Sequence, residues 1–177
     1  MEEKIVVAGF GGQGVLSLGQ FVAYAAMYEG MEVSWLPSYG PEMRGGTSNC
    51  SVVVSDRPIG SPIIATPDTL IAMNKPSLDK FVSKVKKGGL IIVNSSLIKD
   101  KVERDDVKVL YINANEIALE AGNAKTANIV VLGAFIKMTG ILKAEDVKNT
   151  IEKIFANKPK VIPMNKVAFD LGYNFVK

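Results

Sequence analysis

Histidine is absent from this 177-residue chain and cysteine occurs once, at position 50. Structural zinc and iron-sulfur centres draw on several Cys or His side chains, so neither is expected within this chain, and a lone cysteine closes no internal disulfide. With no histidine to activate it, Cys50 in the β-rich run 49–55 reads as a buried structural residue rather than a nucleophile. Long apolar runs are missing as well, whereas a membrane span needs about 20 such residues. Met1-Glu2-Glu3-Lys4 leads straight into a strand-like run, without the basic start, apolar stretch and cleavage site of a secretory signal. A cytoplasmic protein with no membrane contact is expected. A strong charge imbalance is also lacking. The net charge is +3, and the clusters Lys84-Val85-Lys86-Lys87 and Lys158-Pro159-Lys160 carry no interleaved aromatics for stacking on bases. They read as solvated lysines at helix ends, and no nucleic-acid partner is expected.

What is present is an ordinary globular composition, 47% hydrophobic and 22% charged. A single domain spanning residues 1–177 can bury roughly 70% of its unfolded-state surface without staples. Hydrophobic periodicity and breakers predict a strand over 4–8, a glycine turn, a helix over 15–28 ended by Glu29-Gly30, and a strand over 32–36. Residues 49–55 form a further β-rich run, with Asp56-Arg57-Pro58 as a turn toward Ile59, Gly60 and Pro62, so this central part is expected to add a hairpin to the sheet. Short apolar runs at 69–73, 90–93 and 107–112 suit buried strands. Helical spacing of Leu78, Phe81, Val82 and Val85 marks a second crossover. The last third reads mainly helical: 115–121, 128–138 stopped by Gly140, 143–156, and a final helix from Pro163 through Val176. The resulting fold class is a three-layer α/β/α sandwich with a mostly parallel sheet, mixed if the hairpin joins it, and a Rossmann-like first βαβ unit.

Two loops stand out. Gly9, Gly11 and Gly14 match a GxGxxG spacing between a strand and a helix, where backbone N–H groups and a helix start can face an anion. A dinucleotide reader also carries an acid at the end of its second strand. That place holds Ser34, Trp35, Leu36 and Pro37, with Glu32 at the opposite end. The turn therefore either cradles a phosphate of another ligand, with Gly11, Gly12, Gln13 and Gly14 as the candidate residues, or only lets the helix approach the sheet. The Gln13 amide, able to donate and accept at the mouth of the turn, favours a ligand or another chain's backbone. The second loop, Ser38-Tyr39-Gly40-Pro41-Glu42-Met43-Arg44-Gly45-Gly46-Thr47, allows close approach while Pro41 stiffens it. Arg44 either holds an anion or pairs with Glu42 to brace the loop, and Tyr39 and Met43 suit an interface, so Tyr39, Gly40, Pro41, Glu42, Arg44, Gly45 and Gly46 form a candidate interface or ligand loop. Asn74-Lys75-Pro76-Ser77 and Asn94-Ser95-Ser96 follow strands where α/β ligand crevices form, with Ser77 a candidate helix cap, and 123–128 reads as a helix boundary.

These motifs occur in a recognisable order: Gly9-Phe10-Gly11-Gly12-Gln13-Gly14-Val15, then the run 38–49, then Asp56-Arg57-Pro58-Ile59-Gly60-Ser61-Pro62, then Asn74-Lys75-Pro76-Ser77-Leu78-Asp79-Lys80-Phe81. Over nearly its whole length the chain resembles the gamma subunit of 2-oxoacid:ferredoxin oxidoreductases. The resemblance implies a hetero-oligomer of alpha, beta, gamma and delta subunits that oxidatively decarboxylates a 2-oxoacid, forms acyl-CoA and passes electrons to ferredoxin. It places thiamine diphosphate, magnesium and iron-sulfur clusters in partner subunits, with coenzyme A (CoA) as co-substrate. No cofactor and no catalytic or metal-binding residue is assigned to this chain, which alone should be inactive. Its expected roles are architectural, with a share in CoA binding at the glycine turn. The second loop leans toward the 2-oxoglutarate or branched-chain members. A free-standing nucleotide-binding module is the alternative.

Overall fold

A computed structural model describes residues 1–40 and 46–177 of the chain. Six strands, β1 (Glu2–Phe10), β2 (Glu32–Tyr39), β3 (Thr47–Ser55), β4 (Thr69–Ala72), β5 (Leu90–Asn94) and β6 (Lys108–Ile112), form one sheet in the order β2-β3-β1-β4-β5-β6. β1, β4, β5 and β6 pair in parallel, while β3 runs antiparallel to both β1 and β2. The sheet is thus mostly parallel with one reversed strand. The expected hairpin exists, but it is made with the preceding strand: Trp35 pairs with Val52 and Glu32 with Ser55, while residues 56–68 form no strand. Pro58, Pro62 and Pro67 account for this, since each removes a donor that a ladder would need.

Six helices complete the chain: α1 (Val15–Tyr28), α2 (Lys75–Phe81), α3 (Ala114–Glu120), α4 (Ala127–Thr139), α5 (Ala144–Ile154) and α6 (Ile162–Phe175). Residues alternate between the two faces of the central strands. Ile5, Val7, Ile71 and Ile92 pack against α1 and α3 to α6, whereas Val6, Ala8, Leu70 and Ile91 pack against α2 and the segment carrying Ile98. Burial on both faces explains why these strands read as unbroken apolar runs. α4 is the central helix of the thicker layer, with every residue from Ala127 to Ile136 buried. It stops where Gly140 takes a left-handed φ of 60°, and α6 begins with a proline in its first turn. α5 buries Val147, Thr150 and Ile151, and the Phe155 that follows it meets Phe21 of α1 with ring centroids 5.8 Å apart. No described helix is long and apolar enough to cross a membrane.

Candidate functional site

α1 follows β1 on one face of the sheet and α2 follows β4 on the other, so the chain leaves the carboxyl ends of these adjacent strands toward opposite faces. In an open α/β sheet this switch point is where a crevice forms. Gln13 lies across it. Its Oε1 accepts from the Phe10 backbone N–H at 2.7 Å and from Asn74 Nδ2 at 3.4 Å, and its Nε2 donates to the Met73 carbonyl at 3.3 Å. The amide expected to face a ligand or another chain thus stitches the ends of two strands together, with one Nε2 hydrogen that meets no acceptor among the described residues. Gly9 must lack a side chain for this to fit, since a Cβ there would stand 2.5 Å from Gln13 Oε1 and 2.9 Å from Met73 Cβ.

The remaining turn residues divide. Gly11 donates its N–H to the Gly46 carbonyl at 2.8 Å, which joins the glycine turn directly to the second loop. Gly12 and Gly14 carry left-handed φ values of 95° and 73°, open to glycine alone at low cost. Among the described residues, no acceptor meets the N–H groups of Gly12, Gly14, Val15, Leu16 or Ser17. Asn128, in the first turn of α4, donates to the Gly14 carbonyl at 3.2 Å and clamps the starts of α1 and α4 together. Both helix N-termini, each partly positive, open onto one cleft of about 770 Å³ that is also lined by Lys125 and Lys158. Neither lysine Nζ has an ion-pair partner among the described residues. A smaller cavity of about 210 Å³, lined by Gly12, Gln13, Met73, Asn94, Asn115 and Lys125, adjoins it through the shared Gly12 and Lys125.

The second loop is described only at its flanks. Gly40 donates to the Thr47 carbonyl at 2.9 Å, and Tyr39 is 56% exposed at the end of the edge strand β2. Pro41, Glu42, Met43, Arg44 and Gly45 lie outside the described residues. Trp35 is half-buried on β2 beside Gly19, and its indole N–H has no partner among the described residues. Cys50 is fully buried, its thiol donates to the Val15 carbonyl at 3.6 Å, and burial pushes its pKa up to about 12, which suits the structural role. Ser77 does not cap α2 with its side chain. Asn74 does, its Oδ1 accepting the Ser77 N–H at 2.9 Å. The boundary at 123–128 is confirmed by Asn123, whose side chain accepts the Lys125 N–H at 2.9 Å.

Sequence reasoning did not join Lys125, Lys158 and Asn115 to the glycine turn. Lys158 carried only the signal of a helix-end lysine, and nothing local announced that Asn115 would face Gly12. The dinucleotide reading fails for a topological reason too. β3 lies between β1 and β2, so the end of β2 is one strand further from the glycine turn than in a dinucleotide fold. Among the described residues there is no group of three or more His, Cys, Asp or Glu side chains placed to share a metal ion. With one inert thiol, the donor set does not fit an iron-sulfur cluster.

Fold and cleft together define an α/β sandwich with a crevice at the carboxyl edge of its sheet that is lined by backbone N–H groups and two lysines. The chain belongs to the pyruvate ferredoxin/flavodoxin oxidoreductase family, whose model matches residues 4–175. It is 40% identical over 178 residues to ketoisovalerate oxidoreductase subunit VorA of Methanothermobacter marburgensis, covering 99% of this chain and 37% of that one. The chain thus spans little more than a third of that relative's length. The keto/oxoacid ferredoxin oxidoreductase gamma subunit of Geobacter sulfurreducens has the same fold, with a TM-score of 0.86, 30% identity, and coverage of 98% of this chain and 95% of that one. The 2-oxoglutarate:ferredoxin oxidoreductase of Magnetococcus marinus, solved with 2-oxoglutarate, coenzyme A and succinyl-CoA bound, gives a TM-score of 0.90 at 25% identity. The match covers 99% of this chain and 32% of that one.

Proposed function

We propose that the chain is the gamma-type subunit of a 2-oxoacid:ferredoxin oxidoreductase, acting as one domain and holding the phosphates of coenzyme A in the cleft at the start of α1. One observation carries the ligand assignment: the unengaged N–H groups of Gly12 and Gly14, two helix N-termini and the side chains of Lys125 and Lys158 border one cleft. Backbone donors at a helix start favour phosphate oxygens, and the lysines add charge that strengthens each hydrogen bond. The chain's own part in the reaction is to bind and orient. Fixing the diphosphate of CoA positions the thiol at its far end, which raises its effective concentration at a reaction centre elsewhere in the assembly.

Decarboxylation and electron transfer fall to partner subunits of alpha, beta and delta type, which hold thiamine diphosphate, magnesium and iron-sulfur clusters and deliver electrons to ferredoxin. The 2-oxoacid is 2-oxoglutarate or a branched-chain acid, consistent with the relatives that carry those names. Tyr39, exposed at the tip of the β2–β3 hairpin, contacts a partner subunit.

The test is purification of the native complex through this chain. The expected result is recovery of partner chains with thiamine diphosphate and iron-sulfur absorption, together with CoA-dependent protection of residues 12–17 from hydrogen exchange. A chain recovered alone refutes the subunit role, and an assembled complex in which CoA protects neither 12–17 nor 125–128 refutes the cleft assignment.

A further inference from the structure

Residues 15–28, the whole of α1, and residues 33–39 of β2 contain no charged side chain. Part of this run reaches the surface. On α1, Tyr24, Met27 and Tyr28 are between 44% and 48% exposed, and Leu36 of β2 is 43% exposed. Tyr24 and Met27 join Gln20, Ala23, Val33 and Trp35 around an apolar groove of about 190 Å³ between the helix and the outermost strand. Charges stand at its rim: Lys153 Nζ lies 3.8 Å from the centre of the Tyr28 ring, and Glu32 starts β2. Depletion of charge together with Tyr, Trp and Met is the composition of an interface core. In a chain with 21 basic residues, this face carries nothing that repels a second copy of itself.

β2 also has an open edge. Pro37 has no N–H to give and the Gly40 N–H bonds the Thr47 carbonyl, which sets the alternation of the antiparallel ladder: Ser34, Leu36 and Ser38 bond to β3, while Val33, Trp35, Pro37 and Tyr39 turn their backbone groups outward. We infer that this edge and groove form a two-fold interface with a second copy of the chain, β2 pairing antiparallel with the partner's β2 about an axis at Ser34. Each Val33 N–H then meets the partner's Trp35 carbonyl, and each Trp35 N–H the partner's Val33 carbonyl. Pro37 falls beyond the paired residues, opposite the partner's Met31, whose N–H already bonds the Ala26 carbonyl at 3.0 Å. A register that sets Pro37 against the partner's Trp35 instead lacks a donor once in each copy. A foreign strand running the length of β2 meets the same gap, so the edge suits a short symmetric pair. Glu32 lies opposite the partner's Leu36, which keeps like charges apart. Val33 and Trp35 face the groove, so the pairing brings the two grooves together, with Tyr24 and Met27 of each copy beside the joint. The inference is independent of the CoA assignment.

The test is sedimentation velocity on the purified full chain over a range of concentrations, with amide hydrogen exchange followed residue by residue. The wild type is expected to form a dimer. Dimer formation should protect the Val33 and Trp35 amides, whereas those of Ser34, Leu36 and Ser38 are protected at every concentration. Tyr24→Lys sets a charge on the face and should raise the dimer Kd by at least about tenfold, the loss of one strong interface contact. Val33→Pro removes an outward donor without touching the ladder to β3 and should act in the same direction. Leu119→Lys, the same kind of change at an exposed residue of α3, should leave Kd unmoved. A wild type that stays monomeric at about 100 μM, above the micromolar Kd of the weakest interfaces of standard size, overturns the inference. So does a dimer that leaves the Val33 and Trp35 amides unprotected, or one that Tyr24→Lys does not weaken. A monomeric chain whose Tyr24→Lys variant no longer recovers other subunits from the native complex shows that one of those subunits covers the face, and equally overturns the inference.

Discussion

Replacing Gly133 by alanine should loosen the layer of helices that carries the cleft. Gly133 sits mid-helix in α4 and faces α6, where a Cβ would stand 2.1 Å from the Phe169 carbonyl oxygen and 2.8 Å from the Tyr173 backbone nitrogen. Gly172 returns the contact, with a Cβ 1.8 Å from the Val130 carbonyl oxygen. The atoms in the way belong to backbone on both sides, so no side chain can rotate aside and the two helices must separate. Overpacking of this kind costs about 1–3 kcal/mol and occasionally more, and with backbone obstructing, the upper end applies. Alanine returns about 1 kcal/mol of helix propensity. The expected net loss is about 2 kcal/mol or more, a fall in melting temperature of roughly 4–8 °C for a chain of this size. Gly60→Ala is the control, because nothing lies within 4 Å of its Cβ and its φ is not left-handed; it should change stability by no more than about 0.5 kcal/mol. Urea denaturation of both variants and the wild type, followed by circular dichroism, measures the difference. Gly133→Ala within about 0.5 kcal/mol of Gly60→Ala, a tolerance equal to the usual scatter of a neutral surface substitution, would show that the α4–α6 contact is not as close as described.

Two further perturbations test other parts of the structure. Gln13→Ala leaves the Phe10 N–H and the Asn74 amide without their acceptor, so the chain should lose about 1–3 kcal/mol; denaturant titration would read this, and an unchanged midpoint would show that the bridge across the switch point holds nothing. Glu3, the second residue of β1, has its carboxyl pKa raised above 4.5, chiefly by burial, which outweighs the hydrogen bond it accepts from Thr69 at 2.7 Å. The folded state then holds the Glu3 proton more tightly than the unfolded one. The site's contribution is fully present below pH 4.5 and is lost as pH rises through the folded pKa. Glu3→Gln should therefore be more stable than the wild type at pH 7, with a margin that shrinks as the pH is lowered to 4; a margin independent of pH would remove burial as the cause.

Much of the chain was legible from its residues because the signals are local. The stop at Glu29-Gly30, the left-handed Gly140 and the proline opening α6 each act within a turn of their own position, and the corresponding helix ends fall within a residue or two of expectation. The strands were legible as apolar runs for the same reason. Their neighbours were not, because alternation with a period of two is the same whether a strand pairs with its predecessor, its successor or a strand far away along the chain. Residues 47–55 show this. Their composition announces a strand, but only the packed sheet inserts them between β1 and β2, which removes the dinucleotide geometry that the glycine spacing alone suggests.

The candidate site divides in the same way. The residues alone place a glycine turn between a strand and a helix, and the order of motifs along the chain identifies the family. Tertiary structure decides what the turn can still do. Gln13 reaches Met73 across 60 positions and Asn128 reaches Gly14 across 114, and these two contacts determine which donors are consumed and which face the cleft. Contacts at such separations leave no periodic trace in the chain. The first forms only when β1 and β4 pair side by side, and the second only when helices from distant parts of the chain pack on the same face of the sheet, which also brings Lys125 and Lys158 beside Gly12 and Gly14.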